Sequence, residues 1–185
     1  MKPLYVAVCE DNPEEKDALL ALLETGPIPC VTTVFENGET LLAGWEPRTF
    51  DLLLMDIYMD GMTGVEAVKL LRNRGEELPV AFITSSVDHA LDGYRLSALK
   101  YIEKPVTPKD VAEILDLAQL KRAHAPSLAV KRNGNGDFIP LADILYLEQQ
   151  GHVVHIHLKG GEVGQVYEKL SDVTDRLTNQ PFLDS

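Results

Sequence analysis

The stretch Asp51-Leu52-Leu53-Leu54-Met55-Asp56 leaves this chain few ways to fold. Four apolar residues in a row, opened and closed by aspartate, do not alternate between two faces. They read as a short strand buried on both sides of a parallel sheet. Parallel strands need helical crossovers, so the flanking segments must alternate in type. Asp56 then falls at the strand's carboxyl end, the edge where open α/β sheets hold ligands. The loop Ile57-Tyr58-Met59-Asp60-Gly61-Met62-Thr63-Gly64 follows and leads into a helix.

The surrounding sequence supplies that alternation. Residues 4–9 predict a strand ending in Glu10-Asp11, and Asn12-Pro13 caps a helix that runs to about Leu23. Strands are expected at 31–35, 80–83 and 99–102, and helices at 38–44, 64–74, 90–96 and 108–123. Five strands alternating with five helices demand right-handed crossovers, helices on both faces and one active edge. Four strand ends bring Glu10 with Asp11, Asp56, Thr84 and Lys104 to that edge.

Each of these residues taken singly has an ordinary structural use, as a turn former, a helix cap or a solvated charge. Together they make a chemical constellation. Three carboxylates at one edge repel one another, and a hard divalent cation with oxygen ligands relieves that repulsion. Mg²⁺ fits, since it keeps waters that a phosphate can displace. Asp11 is expected as a direct ligand and Glu10 as one acting through water. Asp56 can coordinate with one oxygen and attack phosphorus with the other, giving an acyl phosphate. Lys104 offers a positive charge to the phosphoryl oxygens and Thr84 a hydroxyl, the electrostatic parts that phosphoryl transfer requires.

Glu10-Asp11-Asn12, Met55-Asp56-Ile57, Gly61-Met62-Thr63-Gly64-Val65-Glu66, Ile83-Thr84-Ser85 and Tyr101-Ile102-Glu103-Lys104-Pro105 together resemble the receiver domain of bacterial two-component response regulators. The resemblance covers about residues 3–123. It implies a flavodoxin-like, doubly wound five-stranded parallel sheet of order 2-1-3-4-5, with Asp56 phosphorylated by a sensor histidine kinase. It implies the main-chain carbonyl of Tyr58 as a further Mg²⁺ ligand, a cis Lys104-Pro105 peptide, and Thr84 with Tyr101 as the switch pair. One position departs from the pattern: Asp60 stands where such regulators often have proline, which puts Mg²⁺ affinity and phosphoryl lifetime in doubt. Ser85 supplies the small residue expected after the switch threonine, so small phosphodonors should have access.

After a short linker at 124–127 the periodicity changes, giving domains at 1–123 and 128–185. Strands are expected at 128–131, 138–141, 144–148, 153–158 and 163–166. Asn133-Gly134-Asn135-Gly136 carries two hairpin-turn signals, and a helix is expected with Ser171 as its cap. This is a mostly antiparallel β module. Ile139-Pro140-Leu141, Asp143-Ile144-Leu145-Tyr146-Leu147-Glu148, Gly151-His152-Val153 and the stretch 170–182 resemble the LytTR-type DNA-binding domain. The resemblance implies DNA contacts in the loop at 149–152, with Gln150 and His152 as candidates; an ordinary hairpin loop remains open there. In that family a further strand-rich, basic stretch follows Phe182, so the module is expected to be truncated at its C-terminal end. His155 and His157 share a strand face, but no cysteine or acidic third ligand stands near them in sequence, which argues against zinc.

The net charge of −12 over 185 residues excludes a general nucleic-acid binder, and neither half is basic. No apolar run reaches membrane-span length and the start is no signal peptide, which points to a cytoplasmic protein with Cys9 and Cys30 as buried reduced thiols. The expectation is therefore a phosphorylation-switched transcriptional regulator that dimerises when phosphorylated and performs only self-phosphorylation and slow self-dephosphorylation. The alternatives are a receiver signalling by protein contact without DNA, and a Mg²⁺-dependent aspartyl-phosphate phosphohydrolase. The latter usually has a second aspartate two residues after the nucleophile, where this chain has Tyr58.

Overall fold

In the computed structural model, which describes residues 2–47, 49–85, 96–132 and 135–178, the chain forms two compact units, Met1–Lys121 and Arg122–Ser185. The helix expected at 90–96 lies, but for Leu96, outside the described residues, as does Phe182.

The first unit is a five-stranded parallel sheet of order β2-β1-β3-β4-β5. Its strands are β1 (Leu4–Cys9), β2 (Cys30–Phe35), β3 (Leu52–Asp56), β4 (Val80–Thr84) and β5 (Lys100–Glu103). The helices described are α1 (Pro13–Glu24), α2 (Gly38–Ala43), α3 (Gly64–Asn73) and α4 (Pro108–Ala123). Every residue of β3 and β4 is buried, as the unbroken apolar runs require. Strand residues alternate between two cores. Val6, Val8, Leu52, Leu54 and Ile83 pack with α1 and α4 through Leu19, Leu23, Ile114 and Leu115. Ala7, Leu53, Met55 and Phe82 pack with α2 and α3 through Leu41, Val68 and Leu71.

Cys9 is buried, but Cys30 is only half-buried, because β2 is the sheet's edge strand and four of its six residues are exposed. The expectation of two buried thiols therefore fails for Cys30. Asn12 caps α1 through Glu14 and Glu15 N–H, and Thr63 with Glu66 forms a reciprocal capping box on α3. These caps start both helices directly after the loops that carry the polar strand ends.

The second unit has a two-stranded sheet, β6 (Ser127–Arg132) with β7 (Asn135–Pro140), and a three-stranded sheet in the order β10-β9-β8. The latter comprises β8 (Ile144–Gln150), β9 (Val153–Leu158) and β10 (Val163–Val166), followed by α5 (Leu170–Thr178). All of its pairings are antiparallel. Burial along β9 alternates at every residue, placing Val154, Ile156 and Leu158 in a core with Leu128, Ile139, Val166 and Val173. Ser171 is not the helix cap. The helix already includes Leu170, and the Lys169 carbonyl accepts from the N–H groups of Asp172 and Val173, so the first turn forms before the serine can cap it. Among the described residues, no helix is long and apolar enough to cross a membrane.

Candidate functional site

The carboxyl ends of β1, β3, β4 and β5 meet because parallel pairing aligns them: Cys9 lies opposite Met55, Asp56 opposite Ile83, and Thr84 opposite Glu103. Glu10, Asp56 and Thr84 are buried at this edge, while Asp11 is exposed. Glu10, Asp11 and Asp56 each offer an oxygen within 4.8 Å of the others. Among the described residues this is the one His/Cys/Asp/Glu group so arranged.

Lys104 crosses into the cluster from the end of β5. Its Nζ donates to Asp56 Oδ2 at 2.9 Å, to Glu10 Oε2 at 3.0 Å and to Glu15 Oε2 on α1. Burial, the largest single influence, pulls the Lys104 pKa down. The hydrogen bonds to Glu15, Asp56 and Glu10 together outweigh it and hold the ammonium above the ordinary lysine value. Burial pushes the Glu10 pKa up to about 7, and the charge of Asp56 adds to that rise, against the opposing pull of Lys104 and the Asn12 N–H. One ammonium is too little positive charge for this edge. The donor set therefore fits a hard divalent cation, all oxygen and partly desolvated.

The two adjacent carboxylates differ in what they already hold. Glu10 accepts from Asn12 N–H at 3.1 Å with one oxygen and from Lys104 with the other. Asp11 accepts the Asp60 N–H at 2.9 Å and otherwise faces outward. The Asp60 position thus contributes its main chain, an N–H that a proline would lack. Tyr58 N–H donates to Asp56 Oδ1 at 3.2 Å, which orients the carboxylate. The Tyr101 ring lies against Phe82 with centroids 5.2 Å apart, and Lys104 N–H donates to the Thr84 carbonyl at 2.8 Å. The Lys104-Pro105 peptide is cis.

Two contributors carried no chemical signal in the sequence. Gly64 opens α3 so close to β3 that a Cβ there would sit 2.0 Å from the Asp56 carbonyl oxygen. Glu39, on α2, accepts the Met62 N–H at 3.1 Å and pins the loop after Asp56. The glycine could be singled out only as part of a motif, and the glutamate not at all, since its partner is 23 residues away.

In the second unit Gln150 ends β8 and His152 is exposed in the turn before β9, with Gly151 at φ +62°. His152 lines a cavity of about 360 Å³ with Gln149, Tyr167, Lys169 and two carboxylates, Glu168 and Asp172. The sequence reading that no acidic group stands near the histidine pair needs correction. Register puts Glu148 opposite His155, and its Oε2 lies 3.4 Å from His157 Nε2. Strand pairing creates that neighbour, invisible along the chain, yet the three do not bring one ligand atom each as close together as the receiver carboxylates do.

A doubly wound sheet with paired acids, a strand-end aspartate and a bridging lysine defines the receiver class. Residues 6–116 match the response regulator receiver domain and residues 137–184 the LytTr DNA-binding domain, so the chain belongs to the response regulators. The two matches together make it a phosphorylation-regulated transcriptional response regulator. It is 22% identical to the sensory transduction protein LytT of Oceanobacillus iheyensis, over 97% of this chain and 76% of that protein. It is 25% identical to the positive alginate biosynthesis regulatory protein of Pseudomonas aeruginosa, over 86% of this chain and 71% of that one. Against the DNA-binding transcriptional regulator NtrC of Salmonella typhimurium, identity is 33% over 69% of this chain, but the match spans only 27% of NtrC. The fold matches the receiver domain of a modulated diguanylate cyclase from Desulfovibrio desulfuricans G20, with TM-score 0.57 and 29% identity, over 65% of this chain and 96% of that one. The family is not an enzyme family in the usual sense.

Proposed function

We propose that Asp56 accepts a phosphoryl group from the phosphohistidine of a sensor histidine kinase. This switches a DNA-binding output carried by residues 128–185, beyond a linker at 124–127. The observation that carries the reading is the Lys104 ammonium bridging Asp56 and Glu10 beside the exposed carboxylate of Asp11.

An Asp56 oxygen attacks phosphorus in line. A P–O bond forms, the P–N bond breaks, and the imidazole leaves with the electron pair and takes up a proton. Asp11, Asp56 and the Tyr58 carbonyl would hold Mg²⁺, with Glu10 reaching it through water; when bound, Mg²⁺ supplies charge neutralisation at the phosphoryl oxygens. Glu10 is buried and held by Asn12 N–H and Lys104, whereas Asp11 is exposed and faces outward, which supports giving Asp11 the direct role. Lys104 donates to one phosphoryl oxygen and Thr84 to another, and the Thr84 movement lets the Tyr101 ring turn inward. Attack of water on phosphorus later breaks the acyl phosphate, restoring the carboxylate and releasing inorganic phosphate. This self-phosphorylation and slow self-dephosphorylation is the only chemistry the protein performs. Ser85 leaves room for small donors such as acetyl phosphate.

The phosphorylated chain dimerises, acts in the cytoplasm and meets DNA through the β8–β9 turn, where Gln150 and His152 are the candidate contacts. A second reading, output by protein contact, draws support from Glu168 and Asp172 beside His152, since carboxylates oppose a phosphate backbone.

Labelling with acetyl phosphate and Mg²⁺ tests the core of this reading. Asp56→Asn should abolish it, and undiminished label elsewhere would sink the assignment. Capture of source-genome fragments, with and without Mg²⁺ and beryllofluoride, tests the output. Enrichment of discrete fragments only in the activated wild type supports DNA binding, and none with beryllofluoride bound favours protein contact.

A further inference from the structure

The Lys104 ammonium has three N–H donors, and all three are engaged by carboxylates: Asp56, Glu10 and Glu15. The first two are buried groups of the reaction centre. Glu15 belongs to neither the acidic pair nor the strand ends. It sits on α1, and its side chain is 44% exposed against 3% for Glu10 and 4% for Asp56. Its place in the chain gives its partner no hint, since 89 residues separate them.

A phosphoryl group on Asp56 takes over that carboxylate's charge and its one Lys104 donor, and an ammonium whose other two donors are held must release a partner to offer the phosphoryl oxygens a second one. Release costs least where the freed carboxylate regains water. Glu10 is desolvated, so abandoning it strands a buried charge. Glu15 is half in solvent already, and an exposed ion pair contributes little net stability. The cavity beside the pair, about 380 Å³, has Ala18, Leu19, Leu22 and Val106 in its walls, and these offer a freed carboxylate no hydrogen bond. Solvent is where it goes.

We propose that Glu15 is a resting-state latch on Lys104: a positioning residue that withholds one donor from the phosphoryl group and so sets the balance between free and phosphorylated Asp56. The inference rests on the phosphoacceptor reading above and names a determinant of its equilibrium. Glu15 touches no reacting atom. It acts through Lys104, by competing for the ammonium.

The test uses the full chain, with beryllofluoride as probe at saturating Mg²⁺ and calorimetry as readout. Glu15→Gln should bind beryllofluoride about two- to fivefold more tightly than wild type, the range an exposed ion pair allows. The gain should vanish in a Lys104→Ala background, because the latch acts only through that ammonium. A gain that persists there, or unchanged or weaker binding in Glu15→Gln, overturns the proposal. Should Lys104→Ala bind no beryllofluoride, salt tests the ionic character of the latch. The ratio of wild-type to Glu15→Gln dissociation constants should shrink toward one at high ionic strength, and a salt-independent ratio overturns the latch. Acetyl phosphate labelling, run alongside, separates the two readings. No Asp56-dependent label in wild type removes both the phosphoacceptor and the latch, whereas normal label with no Glu15 effect removes the latch alone.

Discussion

The two units use their polar residues in opposite ways. The first covers both faces of its sheet with helices, so its buried polar groups gather at strand ends, and at the carboxyl edge Glu10, Asp56 and Thr84 are all under 4% exposed. The second leaves one face of its antiparallel sheet in water. There Tyr146 stacks on His157 with centroids 4.1 Å apart and Glu148 approaches the same ring, all three partly exposed. A parallel sheet buried on both sides concentrates chemistry, and an antiparallel sheet buried on one side disperses it. The contrast also separates stability from reactivity: damage to the first unit's edge should reach both, and damage to the second unit's core only its own stability.

The strongest challenge to that contrast is Gly64→Ala. A methyl 2.0 Å from a backbone carbonyl oxygen cannot be relieved by a rotamer change, so the first unit should lose more than ~3 kcal/mol. Trp45 is the chain's single tryptophan and packs on Phe50 in that unit, so its fluorescence in urea titration should report the loss. Ile156→Ala is the counterpart. A fully buried isoleucine in the second core should cost about 3 kcal/mol by far-UV dichroism, with the Trp45 transition and Asp56 labelling unmoved. If Ile156→Ala shifted the Trp45 transition, the units would not be energetically separate.

Smaller effects sharpen the comparison within the edge itself. Asp60→Pro removes the N–H that Asp11 accepts, and Mg²⁺ affinity measured by calorimetry should drop by about 1 kcal/mol, roughly fivefold. Asp60→Ala keeps that N–H and serves as the control. Equal losses in both would assign the effect to the Asp60 carboxylate rather than its main chain. Smallest is the cap of α3. Hydrogen bonds from Thr63 hold the Glu66 carboxyl below the usual glutamate value of 4.5. A lowered folded pKa means stability that is present above the unfolded pKa and lost as pH falls through the folded one. Acid titration below pH 4.5 should therefore destabilise wild type more than Thr63→Ala, while at neutral pH that variant should already be the weaker of the two.

Legibility followed the same division. The unbroken apolar run of β3 by itself requires a sheet covered on both faces, and Pro13, Gly64 and Pro108 each begin a helix where the local chemistry asks for one. Two errors fell where the sheet decides a residue's surroundings, and one at the start of a helix. Cys30 is half-exposed because β2 is an edge, and Glu148 faces His155 because of register. Ser171 lost its cap because the Lys169 carbonyl already served the first turn. In the site, residue types at strand ends could be read directly, but not which carboxylate is buried or which donors Lys104 keeps.

Order along the chain was enough for the alternation of strands and helices, for the edge where the acids collect and for the class of chemistry they permit, because periodicity and composition act over a few residues. Folding alone decided that Glu10 is buried and Asp11 exposed, brought Glu39 to the Asp56 loop and set Glu15 on Lys104. Those depend on contacts spanning 23 to 94 residues, and on how much water each carboxylate loses when the sheet closes around it.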